Sequence, residues 1–314
     1  MRVMFWGTPE FATPPLRALL GEGFDVVGVV TQPDRPVGRS RSSRKAPPVK
    51  QVAVEEGIPV LQPERARDGE FLGQLRALAP DISVVVAYGQ LLPREAIELP
   101  RLGTINIHAS LLPRLRGAAP IQAAILEALE QTGVSIMRMV QKLDAGPVIL
   151  QLGTRVYDDE TYGELALRLA ELGAAALIES LALIELGKAT EIPQDESLAT
   201  YAPKIDREHT RVDWSRDAKA VARVVRAYDP RPGAVAVLGG KGGGQDVKLF
   251  GARFAPAPES AHDGEVLSVG EDGMVVACRT GAVRLLQVQP QGKRRMSASD
   301  WHRGRGVAPG DRFA

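Results

Sequence analysis

One cysteine, Cys278, stands among 314 residues, so no intramolecular disulfide and no cysteine-based metal cluster can form. Histidine is almost as scarce. The four, at 108, 209, 262 and 302, show no metal-ligand spacing, and no metal centre is expected. No run approaches the roughly 18 consecutive apolar residues that a membrane span needs. The chain starts directly on the strand-like Arg2-Val3-Met4-Phe5-Trp6 instead of a signal peptide. A cytoplasmic protein without a membrane partner is therefore expected. Net charge is also nearly absent, at +1, but this sum hides a split. Residues 1–205 hold 21 Lys/Arg against 25 Asp/Glu, whereas residues 206–314 hold 18 against 13. A basic C-terminal third suggests a polyanionic partner, although solvated surface charge also produces imbalances of this size.

What is present is ordinary globular material: 44% hydrophobic and 25% charged residues, in a length that favours two domains. In the first half, apolar runs at 3–6, 26–30, 82–87 and 104–108 alternate with amphipathic stretches, which is the βαβ pattern. Runs apolar on both faces, such as Val84-Val85-Val86, belong in a parallel sheet covered by helices on both sides. Residues 134–140 and 148–156 read as two further strands, antiparallel neighbours, and 164–186 as a long Ala/Leu-rich helix. Periodicity then fails across a polar run with Pro193 and Pro203, where a linker is expected. Beyond it come a helix at 217–227 and short strands at 234–238, 246–250, 264–269, 273–278 and 282–288, the spacing of a small β-barrel. Trp6, Trp214 and Trp301 read as core or hinge packing, and the glycines from Gly239 to Gly244 as a hairpin tip.

Chemistry concentrates in Asn106-Ile107-His108-Ala109-Ser110-Leu111-Leu112-Pro113 and in the acid of Leu143-Asp144-Ala145-Gly146. On a strand, Asn106 and His108 share one face while Ile105 and Ile107 take the other. An amide beside an imidazole, with a carboxylate to orient the ring, suits a reaction in which an oxyanion develops and a proton moves. A lone strand histidine is also commonly structural, so spacing alone leaves both readings open. Residues 34–50 form a basic, Pro/Ser-rich loop, and Gln291-Gly292-Lys293-Arg294-Arg295-Met296 places three cations together. Each reads as a phosphate-tracking surface or as solvated charge.

Taken together, these segments closely resemble the methionyl-tRNA formyltransferases. The resemblance is carried by Gly7-Thr8-Pro9-Glu10-Phe11-Ala12, Thr31-Gln32-Pro33-Asp34-Arg35-Pro36, Val84-Val85-Val86-Ala87-Tyr88-Gly89, the stretch from His108 to Ile121 and the stretch from Gln289 to Ala298. It spans essentially the whole chain. It implies an α/β fold: a Rossmann-like, mostly parallel-sheet catalytic domain over residues 1–189, a linker at 190–206, and a smaller OB-like β-barrel at 207–314 that binds tRNA. It implies 10-formyltetrahydrofolate as formyl donor, the α-amino group of methionyl initiator tRNA as acceptor, and a monomer. Asn106, His108 and Asp144 would be catalytic. Tyr88, Gly89, Gln90, Ser110, Leu111, Leu112, Pro113 and Leu143 would bind folate. Arg39, Arg41, Arg44, Lys45, Lys293, Arg294 and Arg295 would bind tRNA.

The Asn106, His108 and Asp144 set is shared with folate-dependent formyltransferases that use small amines, so it specifies the reaction and not the acceptor. The basic loop and the basic C-terminal part argue for tRNA over a ribonucleotide amine or amino sugar. Retention of all three polar residues argues against a non-catalytic RNA-binding relative.

Overall fold

The computed structural model of the chain describes residues 1–37, 43–239, 244–258 and 260–314. Its elements group into two compact units, one made of residues 1–117, 132–154 and 166–202, the other of 118–131, 155–165 and 203–314.

The first unit is built on a seven-stranded sheet. In chain order its elements are β1 (Arg2–Gly7), α1 (Thr13–Gly21), β2 (Asp25–Val30), β3 (Arg35–Val37), β4 (Ser43–Lys45), α2 (Pro48–Glu55), β5 (Val60–Leu61), α3 (Gly69–Ala77), β6 (Ile82–Val86), α4 (Arg94–Glu98), β7 (Thr104–His108) and β8 (Arg116–Gly117). After α5 (Pro120–Leu126), which belongs to the second unit, come β9 (Gln131–Arg138), β10 (Val148–Arg155), α6 (Tyr162–Glu185) and β11 (Tyr201–Ala202). The sheet order is β10-β9-β7-β6-β1-β2-β5. β1 runs parallel to β2 and β6, β2 to β5 and β6 to β7, whereas β7 and β9 are antiparallel. The strands apolar on both faces are the central ones: Val3, Met4, Phe5 and Trp6 of β1 have no exposed surface, and all of β6 is buried. From β1 the chain winds outward to β2 and β5, then returns to the other side of β1 as β6 and β7. Ligand crevices of open α/β sheets lie beyond the carboxyl ends of such strands.

Two features position the end of β7. Gly173 of α6 faces Ile107: a β-carbon there would lie 3.0 Å from Ile107 Cγ2, a contact tight enough that the glycine lets the helix lie close to the strand without displacing that side chain. With Ile107 committed to α6, alternation turns Asn106 and His108 to the opposite face. Residues 34–50, expected as a continuous loop, include an antiparallel hairpin of β3 and β4 and the first turn of α2. Its base is fixed by Asp34, whose carboxylate accepts from Lys50 Nζ at 2.8 and 2.9 Å and from Gln62 Nε2 at 2.7 Å. These bonds, foremost the one from Gln62, hold the Asp34 pKa below its ordinary value.

In the second unit, α7 (Ala218–Ala227) is capped by Asp217, whose side chain accepts from Ala220 N at 2.9 Å. It packs on the antiparallel sheet of β12 (Ala234–Leu238), β13 (Gln245–Ala255), β14 (Val266–Gly270), β15 (Gly273–Ala277), β16 (Ala282–Pro290) and β17 (Met296–Ser297), followed by α8 (Ala298–Arg303). The strand order is β12-β13-β16-β15-β14, with β17 on β16. Residues 310–314 join the two ends of this path. Ala314 N donates to Val237 O at 2.8 Å beside β12, and Phe313 N to Gly264 O at 2.8 Å beside β14. The sheet thereby closes as a small barrel, which removes its free edges. Val221, Val225, Leu249, Met274, Leu285, Trp301 and Phe313 fill its interior. No helix among the described residues is long and apolar enough to cross a membrane.

Candidate active site

The imidazole of His108 is 5% exposed and hydrogen-bonded at one nitrogen. Nε2 lies 2.8 Å from Leu115 O, and a carbonyl only accepts, so Nε2 carries the proton. Nδ1 faces Asp144 Oδ2 at 3.8 Å. That separation is ion-pair range and beyond hydrogen-bond range, so Nδ1 is left free for a third atom, accepting from it in the neutral ring and donating to it only as an imidazolium. Asn106 stands two residues earlier, partly exposed, and no hydrogen bond within the described residues engages its side-chain amide. Near the end of β7, an uncommitted amide thus shares a strand face with an imidazole that the Asp144 carboxylate faces.

Asp144 is held from several sides. Its Oδ2 accepts from Gly117 N at 2.8 Å, and its backbone takes the left-handed conformation, φ 46°, which is rare for residues other than glycine. Gln194 Nε2 donates to Asp144 O at 2.8 Å and Gly146 O at 2.7 Å. Gly146 is obligatory: a β-carbon there would sit 1.8 Å from Arg138 O. The turn that provides Leu115 O is braced separately. Ser135 Oγ donates to Ser110 O at 2.6 Å, Leu112 N donates to Ser135 Oγ at 3.0 Å, and Gln151 Nε2 donates to Leu112 O at 2.9 Å.

The residues expected to bind folate fall into two groups. Gly89 is exposed, Leu111 and Pro113 are half-buried, and Leu143 is 51% exposed, so these present open surface. The others are occupied. Tyr88 is 2% exposed and stacks edge-on to Trp6 at 5.3 Å, its phenol pushed up to about 12 by burial. Leu112 is 5% exposed, and Ser110 Oγ donates to Arg114 O at 2.6 Å within its own turn. The Gln90 amide accepts from Ala66 N at 3.0 Å and donates to Glu64 O at 3.2 Å.

Of the residues expected to contact tRNA, Arg39 and Arg41 lie outside the described residues, as does most of the 239–244 glycine run. Arg44 and Lys45 are exposed on β4, and Lys293 and Arg294 are exposed in the β16–β17 turn. Arg295 differs. Its guanidinium donates to Gln287 Oε1 at 2.6 Å and Asp229 Oδ1 at 3.1 Å and lies 3.9 Å from the Phe250 ring centroid, an arrangement that braces the barrel.

Sequence reasoning missed Gln194, Gly117, Ser135 and Gln151. Gln194 sat in a run without periodicity, and Gly117 contributes only a backbone N–H, so neither left a local signal.

Comparison with known proteins agrees along the chain. A family model described as formyl transferase matches residues 1–181, and one described as formyl transferase, C-terminal domain, matches residues 204–306. The chain is 46% identical over 310 residues to a methionyl-tRNA formyltransferase of Bacillus licheniformis, covering 98% of this chain and 96% of that protein. It is 49% identical over 312 residues to one of Magnetococcus marinus, covering 99% and 98%. Among solved structures, HypX from Aquifex aeolicus in complex with tetrahydrofolic acid is similar with a TM-score of 0.67 at 20% identity. That match covers 96% of this chain but 46% of HypX, so the chain spans less than half its length and the likeness is one of fold.

Proposed function

The chain belongs to the methionyl-tRNA formyltransferase family, and from that premise we propose that Asn106, His108 and Asp144 move a formyl group from 10-formyltetrahydrofolate to the α-amino group of methionyl initiator tRNA. The observation that carries this reading is the His108 ring, fixed by Leu115 O on one nitrogen and facing Asp144 with the other.

The amine attacks as the neutral base, the α-amino group being one that titrates near neutrality. Attack on the formyl carbon places negative charge on its oxygen. The Asn106 amide and the His108 Nδ1–H donate to that oxygen, and Asp144 stabilises the imidazolium across the 3.8 Å gap. Asp144 Oδ1, the oxygen not held by Gly117, positions a water that relays the proton from the attacking amine to the departing N10. The C–N10 bond breaks as that proton arrives, so no covalent enzyme intermediate is needed. Leu143, 51% exposed in the Asp144 loop, is assigned to support the apolar ring system of the donor.

The same reading assigns chemistry to residues 1–189, a connection to 190–206 and tRNA binding to 207–314. It assigns the protein to the cytoplasm as a monomer. Exposed Arg44, Lys45, Lys293 and Arg294, with Arg39 and Arg41, are assigned to tRNA phosphates. The test is incubation with 10-formyltetrahydrofolate and, in parallel, methionyl initiator tRNA, elongator methionyl-tRNA and glycinamide ribonucleotide. Formylation of the initiator species alone is expected, and transfer only to the small amine would refute the acceptor.

A further inference from the structure

Residues 190–202 contain nothing assigned to chemistry above, yet one of their side chains reaches the Asp144 loop. The Arg116 guanidinium has no exposed surface. Its Nε and Nη2 donate to Gln194 Oε1 at 3.0 and 2.8 Å, and Nη1 and Nη2 each donate to the Glu196 carboxylate at 3.1 Å. A buried cation is tolerated only with partners of this quality, and losing one is costly.

This arrangement dictates which way the Gln194 amide points. A guanidinium only donates and backbone carbonyls only accept, so the amide oxygen must face Arg116 and the NH2 must face Asp144 O and Gly146 O. A reversed amide would be unpartnered at both ends. Gly117, adjacent to Arg116, holds the Asp144 carboxylate through its N–H. One stretch of chain, 116–117, therefore fixes Asp144 twice: directly at the carboxylate, and through Gln194 at the backbone. Glu196, held down to about 2 by its hydrogen bonds from Arg116 and then Lys142, stays ionised at neutral pH, so the clamp is permanent there.

We infer that Arg116 and Gln194 are positioning residues for the transfer reaction, setting the 144–146 backbone so that Asp144 Oδ2 rests between Gly117 N and His108 Nδ1. The inference rests on Asp144 being catalytic. Gln194→Glu keeps an oxygen for Arg116 but sets an acceptor against the two carbonyls. Its kcat on methionyl initiator tRNA should fall about 100-fold, the scale of a small misplacement of a reacting group, while KM for both substrates stays within about twofold. The kcat–pH profile should shift, because the spacing of the His108–Asp144 pair changes; loss of a merely structural contact would leave it in place. Gln194→Met, of similar length and without the repulsion, carries the same expectation should Gln194→Glu not fold. Asp144→Asn is measured alongside. If it is inactive while both Gln194 variants keep the parent kcat and pH profile, the positioning role is refuted and the site reading stands. If Asp144→Asn is active, both fail together. A fall in activity that merely tracks lost thermal stability, with the pH profile unmoved, also overturns the inference.

Discussion

The Asn106 amide is uncommitted, whereas His108 uses one ring nitrogen on Leu115 O, so the two differ in what substitution should do. In the proposed mechanism Asn106→Ala removes an oxyanion donor, and it breaks no side-chain hydrogen bond among the described residues. Its kcat should drop by about 10²–10³, the usual loss for one such donor, with the unfolding midpoint unchanged. His108→Ala should lose at least as much activity and some stability as well, because Leu115 O is left buried without its donor. Steady-state kinetics beside thermal unfolding separate the cases, and an active Asn106→Ala would remove the amide from the mechanism. Two-residue spacing made the Asn106 and His108 pair visible in the sequence. What holds His108 and Asp144, Leu115 O for the one and Gly117 N for the other, is backbone, and backbone atoms carry no residue signature. Cys278 shows the same limit. Its scarcity was obvious, but only its burial, 4% exposed, reveals that desolvation, reinforced by Asp263 and Asp217, pushes the thiol up to about 12. Native protein at pH 8 should therefore resist thiol reagents and react fully once denatured, and rapid labelling of the native chain would contradict the buried position.

At the level of elements, the central strands were legible because residues buried on both faces write continuous apolar runs, as at 3–6 and 82–86. The β3–β4 hairpin was not, since its strands carry Arg35, Pro36, Arg44 and Lys45 and are held by mutual pairing and by Asp34 at the base. Residues 190–202 were opaque for another reason: their order comes from partners about 80 residues away, through Arg116 and the β8–β11 pairing. Gly146→Ala tests the loop geometry, because a methyl group 1.8 Å from Arg138 O forces the backbone aside. It should cost about 1–3 kcal/mol in chemical denaturation and depress kcat further by moving Asp144. Glu196 tests the tie between 116, 142 and 196. Its folded pKa, about 2, lies below its ordinary 4.5, so its stabilisation is fully present above pH 4.5 and is lost as pH falls toward 2. Glu196→Gln should be less stable than the parent at pH 6, and the gap should close by pH 2; a gap that persists there would refute the ionic origin.

Across the whole molecule, charge is divided so that the basic excess falls in residues 206–314, 18 Lys/Arg against 13 Asp/Glu. Cations bound to phosphates release counterions, so each lost contact should reduce the dependence of binding on salt. The structure sorts the candidates before any tRNA is present. Arg44, Lys45, Lys293 and Arg294 are exposed, whereas Arg295 is tied to Gln287, Asp229 and Phe250. Replacing the four exposed residues with glutamine should raise KM for methionyl initiator tRNA and flatten the slope of its logarithm against log salt by about 0.7–0.9 per contact removed. The KM for the folate donor, and kcat at saturating tRNA, should hold. Arg295→Gln should instead lower the unfolding temperature through its loss of partners at the barrel, with less change in the salt slope. Measurement of KM from about 50 to 200 mM salt, across the range where phosphate contacts weigh heavily, distinguishes the two kinds of arginine. An unchanged slope in the fourfold variant would mean that these side chains are solvated charge, and that the basic excess serves tRNA through other residues or not at all.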